Sequence, residues 1–104
     1  MKVLLVCSAG MSSAIAAKAL QQAGEKEGLS LEVHEISTQG FEEEVKNGYE
    51  LSLVAPQIRH RFDTLKAIAD EVGIPILLIK PQGYTPIGGG FLLKQIREET
   101  NLLK

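Results

Sequence analysis

The chain alternates short apolar runs with stretches in which apolar residues recur every three or four positions. Nearly continuous apolar runs occupy residues 3–6, 51–55 and 75–79, and a more mixed run occupies residues 29–36. Continuous runs of this length are typical of strands that are covered on both faces, whereas alternation with polar residues is typical of an edge. The pattern therefore predicts four β-strands, with the mixed run at an edge of the sheet.

Helical periodicity fills the intervals between the strands. A first helix is predicted over residues 12–27, and a short acidic helix within residues 40–46. A third has apolar side chains at helical spacing from Ile58 to Val72, and a last one begins after residues 88–90 and runs toward Leu103. The first helix is expected to bury Ile15, Ala16, Ala19, Leu20 and Ala23.

This alternation predicts an α/β fold in one domain over residues 1–104. Right-handed crossovers with the first strand inside give a four-stranded parallel sheet of order 2-1-3-4, flavodoxin-like and flanked by helices. Ligands of such sheets bind beyond the carboxyl ends of the strands, where the strand order switches. Cys7 stands at that point.

The composition and charge of the chain argue against several classes of function. The 11 basic and 13 acidic residues give a formal net charge of -2, which argues against nucleic acid as the main partner. No apolar run approaches the roughly 18 residues that span a bilayer, so a cytoplasmic protein is expected. The single cysteine argues against disulfide chemistry, and neither His34 nor His60 forms a metal-ligand spacing with it.

The turn after Cys7 is built almost entirely from small residues. Small residues let backbone N–H groups approach an anion closely, and the start of a helix stabilises thiolates and phosphate oxygens. We therefore interpret the turn as a cradle for a phosphoryl group on the Cys7 sulfur. The alternative is a small hydrophobic residue that ends a buried strand. The cradle consists of Ser8, Ala9, Gly10, Met11, Ser12 and Ser13.

Two segments together resemble a known family: the strand that runs into residues 7–13, and the motif at residues 55–59. They resemble the enzyme IIB component of the lactose/cellobiose (chitobiose) family of the bacterial sugar phosphotransferase system, over essentially the whole chain. The resemblance implies that Cys7 accepts a phosphoryl group from a phosphohistidine of enzyme IIA. The group then passes to a cellobiose-, chitobiose- or lactose-type sugar held by the membrane component, enzyme IIC. No cofactor is required.

The resemblance also implies that Pro56 and Gln57 lie beside the phosphoryl cradle. Arg59 follows them and is a candidate for contact with the phosphoryl group or with an acidic partner, although a solvated surface position is an equal alternative. Tyr84 lies in a late loop expected at the same end of the sheet and is a candidate for the rim. Met11 either docks partners or packs against the start of the first helix.

Two other functions fit the same fold. The loop is similar to that of low-molecular-weight tyrosine phosphatases, but Ser13 occupies the position of their arginine, and no Asp-Pro dipeptide supplies a general acid. A flavodoxin-like cofactor module is the other alternative, yet the chain has no tryptophan and few aromatic rings to stack on a flavin. A phosphocysteine carrier is the function that these residues favour.

Overall fold

The apolar runs form a four-stranded parallel sheet in the computed structural model, which describes residues 1–8 and 10–102 and, for residues 10–13, the backbone alone. The order β2-β1-β3-β4 confirms the predicted topology. The predicted member Ala9 of the cradle and the predicted helix end at Leu103 lie outside the described residues. The strands are β1 (Lys2–Cys7), β2 (Glu32–Ser37), β3 (Leu51–Val54) and β4 (Ile76–Leu78).

Helices connect the strands and cover both faces of the sheet. The connection between β3 and α3 begins with a 3-10 turn over Pro56–Arg61, and a second 3-10 turn over Pro81–Gly83 follows β4. No described helix combines the length and the apolar character needed to cross a bilayer. The α-helices are α1 (Gly10–Lys26), α2 (Phe41–Glu44), α3 (Phe62–Val72) and α4 (Gly89–Glu99).

The core has two layers, one on each face of the sheet. Successive strand residues point to opposite faces, so Leu5 packs with α1 and α4 while Leu4 packs with α2 and α3. Since both faces are covered, β1 and β3 are buried along almost their whole length. This arrangement explains why their sequences are continuously apolar instead of alternating.

The first helix differs from its prediction in where it starts and in one buried residue. It begins at Gly10, two residues before the predicted start. Ile15 is 52% exposed, whereas Ala17 is buried in its place. The buried stripe of α1 faces the sheet and α4 along Ala16, Ala17 and Leu20, and Ile15 falls outside that stripe.

Two further helices differ from their predictions at their ends. Ile58 was predicted to open the third helix, but it lies in the 3-10 turn with φ -115° and ψ 27°, and α3 begins only at Phe62. The last helix ends at Glu99 because Thr100 is extended, with its hydroxyl donating to the carbonyl oxygen of Ile96 at 2.7 Å. Local geometry at the ends therefore shortens both helices.

The free edge of β4 is covered by a side chain that the sequence did not single out. Gln95 of α4 is buried, and its Nε2 donates to the carbonyl oxygen of Leu78 at 2.7 Å. Its Oε1 accepts from the backbone N–H of Lys80 at 3.1 Å. These two bonds satisfy backbone groups that an edge strand would otherwise leave unpaired.

Candidate functional site

The strand register brings three chain segments to the same level at the carboxyl edge of the sheet. Val6 pairs with Val54, and Val54 pairs with Leu78. The next residues along the chain, Ala55 and Ile79, continue the ladder, donating their N–H groups to the carbonyl oxygens of Val6 and Val54 at 2.9 Å each. The segments that follow Cys7, Ala55 and Ile79 therefore leave the sheet side by side.

Cys7 is the last residue of β1 and lies directly opposite Ser37 of β2. It is 4% exposed and belongs to the buried cluster that also contains Ala55 and Ile58. The ring of Tyr84 packs against the same cluster. The predicted nucleophile thus lies at the predicted end of the inner strand, beneath the surface of the carboxyl edge.

The start of α1 lies next to Cys7 in the chain. Ser8 is exposed, and the helical backbone begins at Gly10. The first turn of any α-helix contains N–H groups that have no acceptor within the helix and that carry partial positive charge. The side chains of Met11, Ser12 and Ser13 lie outside the described part of the chain, so their predicted contribution to the cradle stays a prediction.

An open pocket of about 220 Å³ lies at the same edge. Its lining unites all of the rim candidates that the sequence placed outside the cradle, although they come from two distant segments. One further lining residue, Pro81, was not predicted; the signal for it is its position shortly after the end of β4, as Pro56 lies shortly after the end of β3. The lining residues are Pro56, Gln57, Arg59, Pro81 and Tyr84.

The pocket and Cys7 are connected through one buried cluster. Tyr84 lines the pocket and also packs against the buried cluster that contains Cys7. Ile58, between the pocket residues Gln57 and Arg59, belongs to that cluster as well. Among the described residues, the pocket lining does not include Cys7 itself. The structure therefore brings the rim residues together over the layer in which the cysteine is buried.

Polar interactions that shift pKa values lie elsewhere in the fold. Burial raises the pKa of Tyr49, and so does the hydrogen bond that its hydroxyl donates to Glu44 at 2.6 Å. The ammonium of Lys2, the first residue of β1, lies 4.4 Å from the centre of the Tyr49 ring. This cluster stabilises the amino end of β1, opposite to the end that carries Cys7.

No three or more His, Cys, Asp and Glu side chains among residues 1–8 and 10–102 are arranged to hold a metal ion. What the arrangement at the carboxyl edge offers is a sulfur, a helix start, a guanidinium and a concave surface. These elements suit an anionic group that is brought to the sulfur by another molecule.

Sequence comparison connects this arrangement to one family. Residues 2–87 match the family described as PTS system, Lactose/Cellobiose specific IIB subunit. The lactose-specific EIICB component of the phosphotransferase system from Streptococcus mutans is 33% identical over 86 residues, which is 83% of this chain. The match spans 15% of the length of that relative.

Structural comparison finds the same fold in two solved proteins. The lactose-specific IIB component domain from Streptococcus pneumoniae superposes with a TM-score of 0.73 at 21% identity, over 91% of this chain and 95% of that one. The cellobiose-specific IIB component from Borrelia burgdorferi superposes with a TM-score of 0.72 at 28% identity, over 97% of this chain and 92% of that one. Both likenesses extend over nearly the whole fold.

Proposed function

The chain belongs to the lactose/cellobiose-specific IIB family of the phosphotransferase system, and we propose that it is a phosphocysteine carrier in sugar uptake. The observation that carries the proposal is the place of Cys7, which ends an inner strand ahead of the start of α1. The family favours a carrier over the phosphatase and flavodoxin-like alternatives. The carrier is proposed as a single domain over residues 1–104.

The proposed reaction consists of two displacements at phosphorus. In the first, the Cys7 thiolate attacks the phosphoryl group of a phosphohistidine on enzyme IIA; the sulfur–phosphorus bond forms and the nitrogen–phosphorus bond breaks. In the second, a hydroxyl of a sugar held by enzyme IIC attacks, and the thiolate leaves as the oxygen–phosphorus bond forms. The proton of the sugar hydroxyl passes to a base outside this chain. Neither step requires a cofactor.

Stabilisation of the transferred group is assigned to the turn from Ser8 to Ser13 and the first turn of α1. Backbone N–H groups there would hold the three equatorial oxygens, while the partial positive charge of the helix start offsets their negative charge. Ser13 stands where related phosphatases carry arginine, so no guanidinium from that position grips the transition state. A phosphocysteine in this setting should be hydrolysed slowly and should transfer to a docked sugar quickly.

Burial of Cys7 adds a requirement to the proposal. Because Cys7 is 4% exposed, the sulfur must gain room toward the carboxyl edge before a phosphohistidine can reach it. The pocket of Pro56, Gln57, Arg59 and Tyr84 lies over the same buried layer and provides the concave surface for the docked partner. We therefore assign these residues to the rim of the site and to partner docking.

The second partner is proposed from the name of a relative. The protein from Streptococcus mutans is an EIICB component, and this chain matches 15% of its length. We infer that this chain also acts with an enzyme IIC embedded in a membrane, and that it works at the cytoplasmic side of that membrane. The transported sugar is proposed to be of the lactose, cellobiose or chitobiose type, since enzyme IIC holds it.

Labelling with phosphoenolpyruvate tests the carrier function. The label is passed through the general phosphotransferase proteins and enzyme IIA, and its position is mapped on the wild type and on Cys7→Ser. We expect one labelled site, Cys7, and loss of the label in Cys7→Ser. His60→Gln is the control because His60, in the 3-10 turn that follows β3, is the alternative phosphate acceptor, and this variant should label normally. A label retained in Cys7→Ser would refute the assignment.

A further inference from the structure

The charges around the carboxyl edge are distributed unequally. Arg59 and Arg61 lie on the β3 side, where Asp63 is an exposed acid in the first turn of α3, and Lys80 lies two residues after the end of β4. All three cations are exposed. On the β2 side, the first turn of α2 contains the exposed residues Glu42 and Glu43. We call Arg59, Arg61 and Lys80 the basic face, and it stands out on a chain whose formal net charge is -2.

Within the part of the chain that the structure describes, the cations of the basic face form no internal ion pairs. In residues 1–8 and 10–102, the ion pairs join Glu32 to His34, Asp70 to Lys66 and Glu27 to Arg97. None of these pairs involves a residue of the basic face. The three charges are therefore available to a molecule that approaches the carboxyl edge.

The start of α3 does not favour an arginine at position 61. Arg61 is the N-cap residue of α3 and makes no capping hydrogen bond through its side chain. Side chains with an oxygen acceptor are preferred at that position, and the helix dipole disfavours cations there. Arg59 lies two residues earlier, in the last turn of the 3-10 segment, and lines the pocket with Tyr84. Arg61 therefore occupies a position at which the start of α3 would favour another side chain.

We infer that the basic face is the docking surface for an acidic protein that carries the phosphohistidine, and that it sets the rate at which that donor associates. The inference rests on the proposed function. Complementary charge accelerates encounter and fixes orientation. Opposite the basic face the donor should be acidic, and opposite Glu42 and Glu43 it should be neutral or basic. The asymmetry would align the phosphohistidine with the end of β1.

Transfer of the phosphoryl group to Cys7 would weaken the attraction between the donor and the basic face. A phosphoryl group carries roughly -1.5 to -2 charge near neutral pH. Before transfer this charge belongs to the donor and faces the basic face, whereas afterwards it belongs to Cys7 and neutralises that face from within. The donor is then released more readily. This cycle favours the donor over a bilayer, because polybasic membrane sites contain about 4–8 cations, and the basic face contains three.

The test compares two triple variants with the same change of charge. The first replaces the basic face through Arg59→Gln, Arg61→Gln and Lys80→Gln. The second, the control, carries Lys18→Gln, Lys26→Gln and Lys46→Gln, at exposed positions away from the carboxyl edge. Circular dichroism checks that both fold; should the first be unfolded, Arg59→Gln and Lys80→Gln are measured singly. Quenched-flow labelling with subsaturating phosphorylated enzyme IIA gives the second-order rate constant as a function of salt.

We expect the basic-face variant to react about tenfold more slowly at low salt, with a weaker salt dependence, and the control to stay within about twofold of the wild type. Glu42→Gln with Glu43→Gln should accelerate the reaction. Equal rates for the two triple variants, or binding of the wild type to anionic vesicles at physiological salt through the basic face, would overturn the inference. Absence of any label on wild-type Cys7 would instead refute the proposed function; donor binding measured by calorimetry would still test the basic face.

Discussion

Cys7 and Ser52 are two small polar side chains that are buried in the sheet, but their surroundings differ. Cys7 is buried at the end of β1, next to the start of a helix. Ser52 is fully buried in the middle of the sheet, between Leu4 of β1 and Ile76 of β4. Its hydroxyl has no hydrogen-bond partner among the described residues. Cys7 lies at the edge that holds the candidate site, whereas no described residue near Ser52 forms a hydrogen bond with its hydroxyl.

Ser52→Ala should therefore stabilise the protein. Removing a buried oxygen that lacks a partner removes its desolvation cost, and we expect the free energy of unfolding in urea to rise by about 1 kcal/mol. Thr100→Val is the matched control, because the Thr100 hydroxyl donates to Ile96 at 2.7 Å. That variant should lose about 1 kcal/mol. A clear destabilisation by Ser52→Ala would show that its hydroxyl is satisfied in solution.

At the scale of elements, the contact between α4 and α1 depends on a glycine. A Cβ atom at Gly89, the first residue of α4, would overlap the carbonyl oxygen of Ala19 in α1. Gly89→Ala should force the helices apart and lower the free energy of unfolding by about 1–3 kcal/mol. At Gly90 a Cβ meets nothing within 4 Å, so Gly90→Ala should stabilise by up to about 1 kcal/mol. Urea unfolding measures the free energy of unfolding of both variants. Equal changes in the two variants would contradict the role of Gly89 in the helix contact.

Most helices and strands could be predicted from the sequence, because burial in the two core layers gives the apolar residues a regular spacing along the chain. Strand order, the edge position of β2 and the placement of Cys7 follow from continuous apolar runs and from chain direction. Ile15 was misplaced because its exposure depends on where α4 packs, which periodicity within α1 does not encode. Gln95 was missed for a similar reason: only the tertiary fold shows that its amide meets the free edge of β4.

For the candidate site, the sequence predicted which residues lie at the same edge but not how deeply Cys7 is buried. Pro56 and Tyr84 are distant in sequence, yet both follow strands of a parallel sheet, so strand direction alone places them at one edge. The depth of Cys7 beneath that edge was not predictable, since it depends on how the ring of Tyr84 and the side chain of Ile58 pack over the ends of the strands. Residue type and strand order determine which side chains meet, and packing determines how accessible they are.

At the scale of the whole molecule, the family match ends before the fold does. It covers residues 2–87, whereas α4 occupies Gly89–Glu99. Leu92, Leu93 and Ile96 of that helix are almost completely buried in the core layer shared with α1. Each such side chain contributes about 1.5–3 kcal/mol by burial, so together they account for roughly 5–9 kcal/mol. This is comparable to the total stability of about 5–15 kcal/mol that is typical of one domain.

A chain truncated to residues 1–87 should therefore fail to fold. Without α4, the apolar face of β3 and the buried stripe of α1 would be open to water, and the free edge of β4 would lose the bonds from Gln95. We expect no cooperative urea transition and no dispersed amide signals in NMR spectra. A chain of residues 1–101 is the control and should unfold cooperatively, because it retains α4 and the Thr100 bond to Ile96. Cooperative unfolding of the shorter chain would show that α4 is an accessory to a core that the matched segment completes by itself.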